Sequence, residues 1–421
     1  MAAVMRWLRR HSTAKEAMMK ILVINVGSGS QKVVLYDVQS QPTVQPPQFL
    51  WEGYVDWAEQ QGNASIHIRT GNGASLDQEH PETDRSKMLE MLLNMLWSGP
   101  TKVVAGPAEV AMVGHRIVHG GAKLYESTRI TPVVIAAINE AATIASGHNE
   151  QSLNGIEIAT RFFPHASQFA SFDTTFHAHL PPAETVYPVP YSWYEQGIKR
   201  YGFHGLSYQF CSERAAEMLD GNAQALRLVI CHLGGGASLA AVRGGQSVAT
   251  TMGFTPLEGL MMNERSGTID PGILLYLAQQ KGFTAQQLDH DLNKASGLLG
   301  VSGVSNDLRQ IMKASSNGNQ RAQLAWNMYI LRLTQGIGAM AATLGGLDAL
   351  IFTGGIGEHI AELRAQVCRS LAFMGVHIDE GVNAQATPDV DLAPQESAVR
   401  VLLLHTEEEW IIARDGWQLA Q

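Results

Sequence analysis

Apolar residues fall into short continuous runs, each followed by a glycine-rich turn and a second apolar run. The first strong one, Ile21 to Asn25, ends at Asn25-Val26-Gly27-Ser28-Gly29-Ser30, after which Val33 to Tyr36 is apolar again. Runs this short, bounded by turn residues, predict strand, tight turn, strand. From Ser40 to about Asp84 the chain is rich in Gln, Pro, Gly and Asn around strand-like pieces such as Ser65 to Ile68, as in a sheet with long loops.

The same layout returns about 207 residues later, where Leu228 to Ile230 leads into Cys231-His232-Leu233-Gly234-Gly235-Gly236-Ala237-Ser238 and then Leu239 to Val242. That separation is too long for a solenoid period and suits two related domains, each opening with a hairpin. The pattern predicts a duplicated α/β architecture. A third glycine turn, Thr353-Gly354-Gly355-Ile356-Gly357-Glu358, follows the strand Ala349 to Phe352. It precedes a helix with apolar face Ile360, Leu363, Val367 and Leu371, closed by Gly375. Amides at such a helix start welcome an anion. No GxxxxGK[ST] and no GxGxxG after the first strand is present, so neither a P-loop nor a Rossmann dinucleotide site is supported.

Composition narrows the class. With 421 residues and 45% apolar content the chain can bury two or three cores. Acids outnumber bases 39 to 30, for a formal charge of −9, which leaves no basic footprint for nucleic acid or an anionic membrane. Cys211, Cys231 and Cys368 show no CxxC spacing, which fits a reducing, cytoplasmic setting without disulfides or structural zinc. No apolar run approaches the roughly 18 residues of a membrane span. Met1 to Lys20 carries Arg6, Arg9, Arg10 and Lys15 against Glu16; it reads either as a weak targeting peptide or, the reading preferred here, as a frayed extension or an early start, with Met18 and Met19 just before the first strand.

An anionic substrate would therefore need a local cluster of cations and amides. Gly114-His115-Arg116-Ile117-Val118-His119-Gly120-Gly121 sets an arginine between histidines: an anion clamp, or a surface arginine flanked by core histidines. Ser171-Phe172-Asp173 ends an apolar run with a carboxylate, where α/β proteins display site residues, though an N-cap reads equally well. Tyr201-Gly202-Phe203-His204-Gly205 brackets a histidine with glycines, and Glu264-Arg265-Ser266-Gly267 places a second arginine in a turn. Two arginines, a histidine, an acid and three glycine turns together suit phosphoryl transfer, where catalysis is mostly positioning and charge neutralisation.

At these residues the chain resembles the acetate kinase family, of the actin, sugar kinase and Hsp70-like (ribonuclease H-like) fold group, from about Lys20 to Asp415. The matching stretches are KILVINVGSGSQK, VGHRIVHGG, FDTTFH, RYGFHG, CHLGGGAS, MGFTPLEGL, SGLLGVSG with NDLR, FTGGIGE and TEEEWIIARD, in the family's order. The resemblance implies a two-domain Mg2+-dependent enzyme (Mn2+ as a substitute), usually a homodimer with an interdomain active cleft, exchanging a phosphoryl group between ATP and acetate to give acetyl phosphate and ADP. It places the N-terminal domain at 20–173, completed by about 408–421, and the C-terminal domain at 174–407, with 1–19 an extension. By motif, Asn25 and Glu408 match the magnesium positions, Lys32 lies near the nucleotide, Arg116 and Arg265 hold the carboxylate and the moving phosphoryl, His204 stabilises the transition state, and Asp173 is the catalytic carboxylate, assigned here to positioning the metal and its waters. His232, Leu233, Gly234, Gly235 and Gly236, then Asp307, Leu308 and Arg309, then Gly355, Ile356, Gly357, Glu358 and His359 match the nucleotide segments. Val118, Phe203 and Pro256 match the apolar walls of the acyl pocket.

Several positions depart from the family pattern. Gly235 stands where Asn is common, Ala249 and Thr268 where Asp is common, and Leu206, Tyr208 and His359 also differ; His148 to Ser152 lacks a usual proline pair. Gly147 replaces a frequent Leu, which implies a wider acyl pocket and better tolerance of propionate. The alternatives are a propionate or other short-chain acylate kinase and, as a different class, a catalytically degenerate nucleotide-binding or regulatory homologue.

Overall fold

A computed structural model describes residues 19–421 apart from 28, 39–41, 58–62, 83, 145–146 and 220–223. The extension expected at the N-terminus thus lies outside the described residues, save its last position. The chain divides into two compact units: unit 1 comprises 1–117, 126–172 and 409–421, and unit 2 comprises 118–125 and 173–408. Val118–Tyr125 goes with unit 2, where the Gly120 amide donates to Thr174 Oγ1 at 3.2 Å.

Unit 1 carries β1 (Met19–Val26), β2 (Ser30–Val38), β3 (Trp51–Asp56), β4 (Ala64–Thr70), β5 (Ser75–His80), β6 (Met112–Ile117), β7 (Thr128–Arg129) and β8 (Ser167–Phe172) in the order β5-β4-β3-β2-β1-β6-β8-β7. Unit 2 carries β9 (Arg227–Leu233), β10 (Ala237–Arg243), β11 (Gln246–Thr250), β12 (Ala349–Thr353), β13 (Val390–Asp391) and β14 (Arg400–Leu403) in the order β11-β10-β9-β12-β14-β13. The second sheet repeats the strand order β3-β2-β1-β6-β8-β7 of the first, with an antiparallel hairpin beside three parallel strands each time. The duplicated α/β architecture is therefore present in the topology, and β4 and β5 are what unit 1 adds in the Gln- and Pro-rich stretch.

In unit 1, alternate residues of the first hairpin, Leu22 and Ile24 with Val33 and Leu35, share a core with Met88, Leu89, Leu92 and Leu93 of α1 (Arg85–Met95) and with Ile158 and Ala159 of α2 (His148–Phe162). In unit 2, α3 (Gly205–Met218), α4 (Pro271–Lys281) and α5 (Leu308–Ser316) precede α6 (Gln320–Leu344). Trp326, Tyr329, Leu333 and Ile337 of α6 recur at helical spacing and pack on Val229, Cys231, Leu233 and Leu239. The three cysteines are free and buried.

The helix expected after the third glycine turn is split into α7 (Gly354–His359) and α8 (Ala361–Ser370). Arg364 explains the break. Its buried guanidinium donates to the carbonyls of Gly357 and Glu358 at 2.7 and 2.8 Å, which a continuous helix would commit to later amides. The apolar face survives the break, because Ile360, Leu363, Val367 and Leu371 are all buried and Gly375 closes the segment at φ 82°.

The final helix, α9 (Glu408–Ala420), belongs to unit 1 from Glu409 onward. Gly114 and Gly416 let it approach the sheet, since a Cβ on either would lie 2.4 Å from the ring of Phe169. Asp415 accepts hydrogen bonds from Ser127 and Ser171 at 2.6 and 2.7 Å, which fastens α9 to β8. Among the described residues no helix is long and apolar enough to cross a membrane.

Candidate functional site

In both units some of the singled-out residues or their neighbours sit at the carboxyl ends of parallel strands, the edge where open α/β sheets expose ligand-binding groups. Asn25, Arg116 and Asp173 end or follow β1, β6 and β8; His232, Gly354 and His405 end or follow β9, β12 and β14.

Unit 1 joins Asn25, Lys32 and Arg116 through a residue that the motifs did not single out, Glu409. Its carboxylate accepts from Asn25 Nδ2 at 2.7 Å and from Lys32 Nζ at 3.1 Å. Arg116 Nη1 in turn donates to Asn25 Oδ1 at 3.1 Å. With an acceptor on one side and a donor on the other, the orientation of the Asn25 amide is set by its neighbours. Burial opposes ionisation of Glu409, but the Lys32 charge and the hydrogen bonds from Asn25 and Lys32 outweigh it and hold the carboxyl below its usual range. Lys32 is shared with Glu52 at 3.2 Å. The available signal was the run Glu407-Glu408-Glu409: helical geometry places consecutive acids in different directions, so choosing one acid by motif could not say what its neighbour touches. Glu408, at the start of α9, is buried.

The two histidines flanking Arg116 are core residues. Burial pushes His115 down to about 4, partly offset by its 2.7 Å hydrogen bond with Gln168. His119 is likewise pushed down to about 4 by burial, and its Nδ1 accepts from the Gly121 amide at 2.8 Å. The His119 ring lies against Tyr201 and Phe203, with centroids 4.5 and 5.4 Å apart, and Phe203 shares a core with Val118. Val118 and Phe203, two of the expected acyl-pocket walls, thus belong to one core in unit 2.

Unit 2 also brings His204, Arg265, His232 and the triple-glycine turn together. A Cβ on Gly236 would lie 3.1 Å from Arg265 Nη2 and 3.4 Å from His204 Nε2, so the bare glycine leaves both nitrogens facing the turn. His204 holds φ 59° as the residue before α3, a left-handed conformation that costs a non-glycine residue about 1 to 3 kcal/mol and persists where surroundings enforce it. Here Gly205 donates its amide to the Asp173 carbonyl at 2.8 Å, and a Cβ on Gly205 would lie 2.2 Å from that oxygen. Asp173 and His204 are therefore locked to each other through backbone. The His204 and His232 rings stack at 4.1 Å and 21°. Arg265 Nη1 donates to the Pro256 carbonyl at 2.6 Å, tying the third expected pocket wall to the arginine, and burial lowers the guanidinium pKa. The short turn Thr175–His177 after Asp173 begins at Thr174 without a side-chain cap.

The remaining nucleotide segments are more self-contained than the motifs suggested. Glu358 turns inward, accepting from the Gly354 amide at 3.1 Å and sitting 2.8 Å from His405 Nδ1, so one amide of the third glycine turn already has an anion. Asp307 caps α5 through the Arg309 amide at 2.8 Å and pairs with the exposed Arg309 guanidinium at 2.8 Å. Gly355 and His359 are exposed. At the departures, Thr268 Oγ1 accepts from the Gly259 amide at 3.0 Å, and Gly235 leaves open space with Asn263 Nδ2 3.9 Å from a Cβ placed there. Gly147, the residue before α2, has φ 82°. A cavity of about 780 Å3 in unit 1, lined by Phe49, Leu50, Trp97 and Lys102 among others, contains none of these residues.

The duplicated sheet, with polar groups at matching strand ends, has the architecture of the actin and sugar kinase-like fold class. Comparison with known proteins agrees and sharpens it: the model of the acetokinase family matches residues 20–414, and the chain belongs to that family. It is 53% identical over 403 residues to an acetate kinase of Cyanothece sp., covering 96% of this chain and 99% of that one, and 53% identical over 406 residues to an acetate kinase of Gloeobacter violaceus, covering 95% and 99%. Among solved structures it resembles Porphyromonas gingivalis acetate kinase with TM-score 0.84 and 38% identity, covering 96% of this chain and 100% of the other. It also resembles a propionate kinase from Francisella tularensis with TM-score 0.82 and 32% identity, covering 94% and 99%.

Proposed function

We propose that the chain is a magnesium-dependent kinase that moves a phosphoryl group reversibly between ATP and the carboxylate of a short acid, with acetate as the preferred acid. The observation that carries this is the pair of nitrogens, Arg265 Nη2 and His204 Nε2, held against one glycine turn. A moving phosphoryl spreads negative charge over its equatorial oxygens, and fixed donors stabilise it without reorganising. Arg265 acts as the cation and His204 as the hydrogen-bond donor. Arg116 holds the carboxylate of the acid, and Val118, Phe203 and Pro256 supply apolar walls for its short chain. An ionised carboxylate is already a nucleophile, so Asp173 serves to position groups rather than to remove a proton. The glycine-rich segments 232–236, 307–309 and 355–359, with Lys32, accommodate the nucleotide.

Carboxylate and amide oxygens of the kind carried by Asn25 and Glu408 are the hard donors that magnesium takes. Magnesium prefers few protein ligands, several waters and the substrate's phosphates, and when bound it neutralises phosphate charge. Asn25 and Glu408 are the residues assigned to it.

A second reading, preference for propionate, is favoured by Gly147 and by the likeness to the propionate kinase. One methylene discriminates by only about 1 to 3 kcal/mol, so assay decides. The chain acts as a cytoplasmic homodimer. Supporting this, α4 buries none of its residues and exposes Ile273, Leu275 and Tyr276, while Leu324 and Leu331 are exposed on α6. Purified protein with ATP and magnesium should form acyl phosphate, trapped as hydroxamate, most rapidly with acetate, and Arg265→Ala should abolish it. Equal or faster reaction with propionate would reassign the acid. No product with any short acid, and none with pyrophosphate in place of ATP, would favour the degenerate nucleotide-binding homologue.

A further inference from the structure

His204 can serve as a donor toward the triple-glycine turn only if its proton sits on Nε2, the nitrogen beside Gly236, and two residues outside the family assignments bear on that. His204 Nδ1 lies 2.8 Å from Ser238 Oγ, and the same Oγ is hydrogen-bonded to the phenol of Tyr208. Tyr208 and Ser238 are both fully buried. Among the described residues neither hydroxyl has another hydrogen-bond partner, so each proton must be used inside this trio or be left unpaired, which is costly in a sealed site.

Counting protons selects one arrangement. If Nδ1 carried a proton and gave it to Ser238, the serine proton could go only to the tyrosine oxygen, and the tyrosine proton would be stranded. If both Nδ1 and the phenol donated to Ser238, the serine proton would be stranded instead. When Tyr208 donates to Ser238 and Ser238 donates to Nδ1, every proton is paired. Burial also holds the Tyr208 phenol well above its ordinary pKa, so it keeps a proton to donate. Nδ1 is then an acceptor, and the neutral ring carries its proton on Nε2, the atom 3.4 Å from a Cβ placed on Gly236.

We propose that Ser238 is a positioning residue: its hydroxyl, oriented by Tyr208, donates to His204 Nδ1 and thereby keeps the ring proton on Nε2, turned toward the triple-glycine turn and the phosphoryl. The catalytic consequence rests on the role given to His204 under Proposed function; the tautomer does not.

The test is 15N-histidine NMR of the full-length protein near pH 8, where long-range proton correlations distinguish the two neutral tautomers. His204→Gln identifies the relevant signal among 15 histidines. The wild type should show Nε2–H alone. Ser238→Ala should lose the single tautomer, and its kcat should fall on the order of ten- to a hundredfold with KM for ATP and acid little changed, as a misdirected group rather than a lost binding contact requires. Tyr208→Phe removes a hydrogen bond from the same pocket but leaves the partner of Nδ1, so it should keep Nε2–H and separates tautomer control from loosened packing. Nδ1–H in the wild type, an unmoved tautomer in Ser238→Ala, or a switch to Nδ1–H in Tyr208→Phe would overturn the proposal. Full activity of His204→Gln would instead sink the role of His204 while leaving the tautomer result standing.

Discussion

Glu409→Gln is the sharpest probe of unit 1, because an amide cannot replace the carboxylate there. Gln has one acceptor and one donor end, while Glu409 faces two donors, Asn25 Nδ2 at 2.7 Å and Lys32 Nζ at 3.1 Å. If the introduced amide accepts from Lys32, its NH2 confronts Asn25, which must flip and turn its own NH2 toward Arg116 Nη1, now 3.1 Å from an acceptor. If it accepts from Asn25, its NH2 confronts the ammonium. A charge-assisted hydrogen bond contributes about 1.5 to 3 kcal/mol net. Because Lys32 keeps Glu52 and is 27% exposed, the loss should be near the middle of that range, about 2 kcal/mol, and not the 3 to 5 of a fully buried broken pair. The effect has a defined pH dependence. The folded-state pKa of Glu409 is lowered, so its stabilisation is fully present above the unfolded carboxyl value near 4.5 and is lost as pH falls through the folded value. Urea denaturation of wild type and variant should therefore differ by a constant amount from pH 7 to about pH 5 and converge in more acid solution. At pH 7 a displaced Arg116 should also cost up to about a hundredfold in turnover. A stability difference below about 0.5 kcal/mol at pH 7, or one unchanged wherever the fold persists below pH 4, would refute the reasoning.

Arg364→Met should destabilise unit 2 by about 3 kcal/mol in chemical denaturation, because the guanidinium satisfies the carbonyls of Gly357 and Glu358 and the buried Asn383 at 2.7 Å. Gly205→Ala drives a Cβ to within 2.2 Å of the Asp173 carbonyl, so it should lower stability by about 1 to 3 kcal/mol and also impair turnover, whereas Gly355→Ala, with nothing within 4 Å, should leave stability within about 0.5 kcal/mol. Gly147→Ala should cost about 1 kcal/mol through its φ of 82°, measured by thermal denaturation. For the proposed homodimer, Leu275→Asp should shift the sedimentation mass from dimer toward monomer while leaving secondary structure intact; an unchanged mass would exclude α4 from the proposed interface.

The duplicated fold was legible because it rests on local rules. Apolar runs of strand length around glycine turns recur in two places, and a hairpin followed by parallel strands can bury those runs only beneath helices on the sheet faces. The charged residues were legible as types, since arginine, histidine and carboxylate beside glycine turns are costly placements without a function. What could not be read was which polar group answers which. Glu409 meets Asn25 across 384 positions, and Arg364 breaks a helix whose apolar face runs on without interruption. The inward turn of Glu358 and the relay from Tyr208 through Ser238 to His204 likewise depend on contacts between elements distant in sequence. Hydrophobic period and turn chemistry act over a few residues, so the sequence alone determined the strands, the turns and their duplication. Hydrogen-bond partners are chosen by proximity after the chain has closed on itself, and only the tertiary structure decided them.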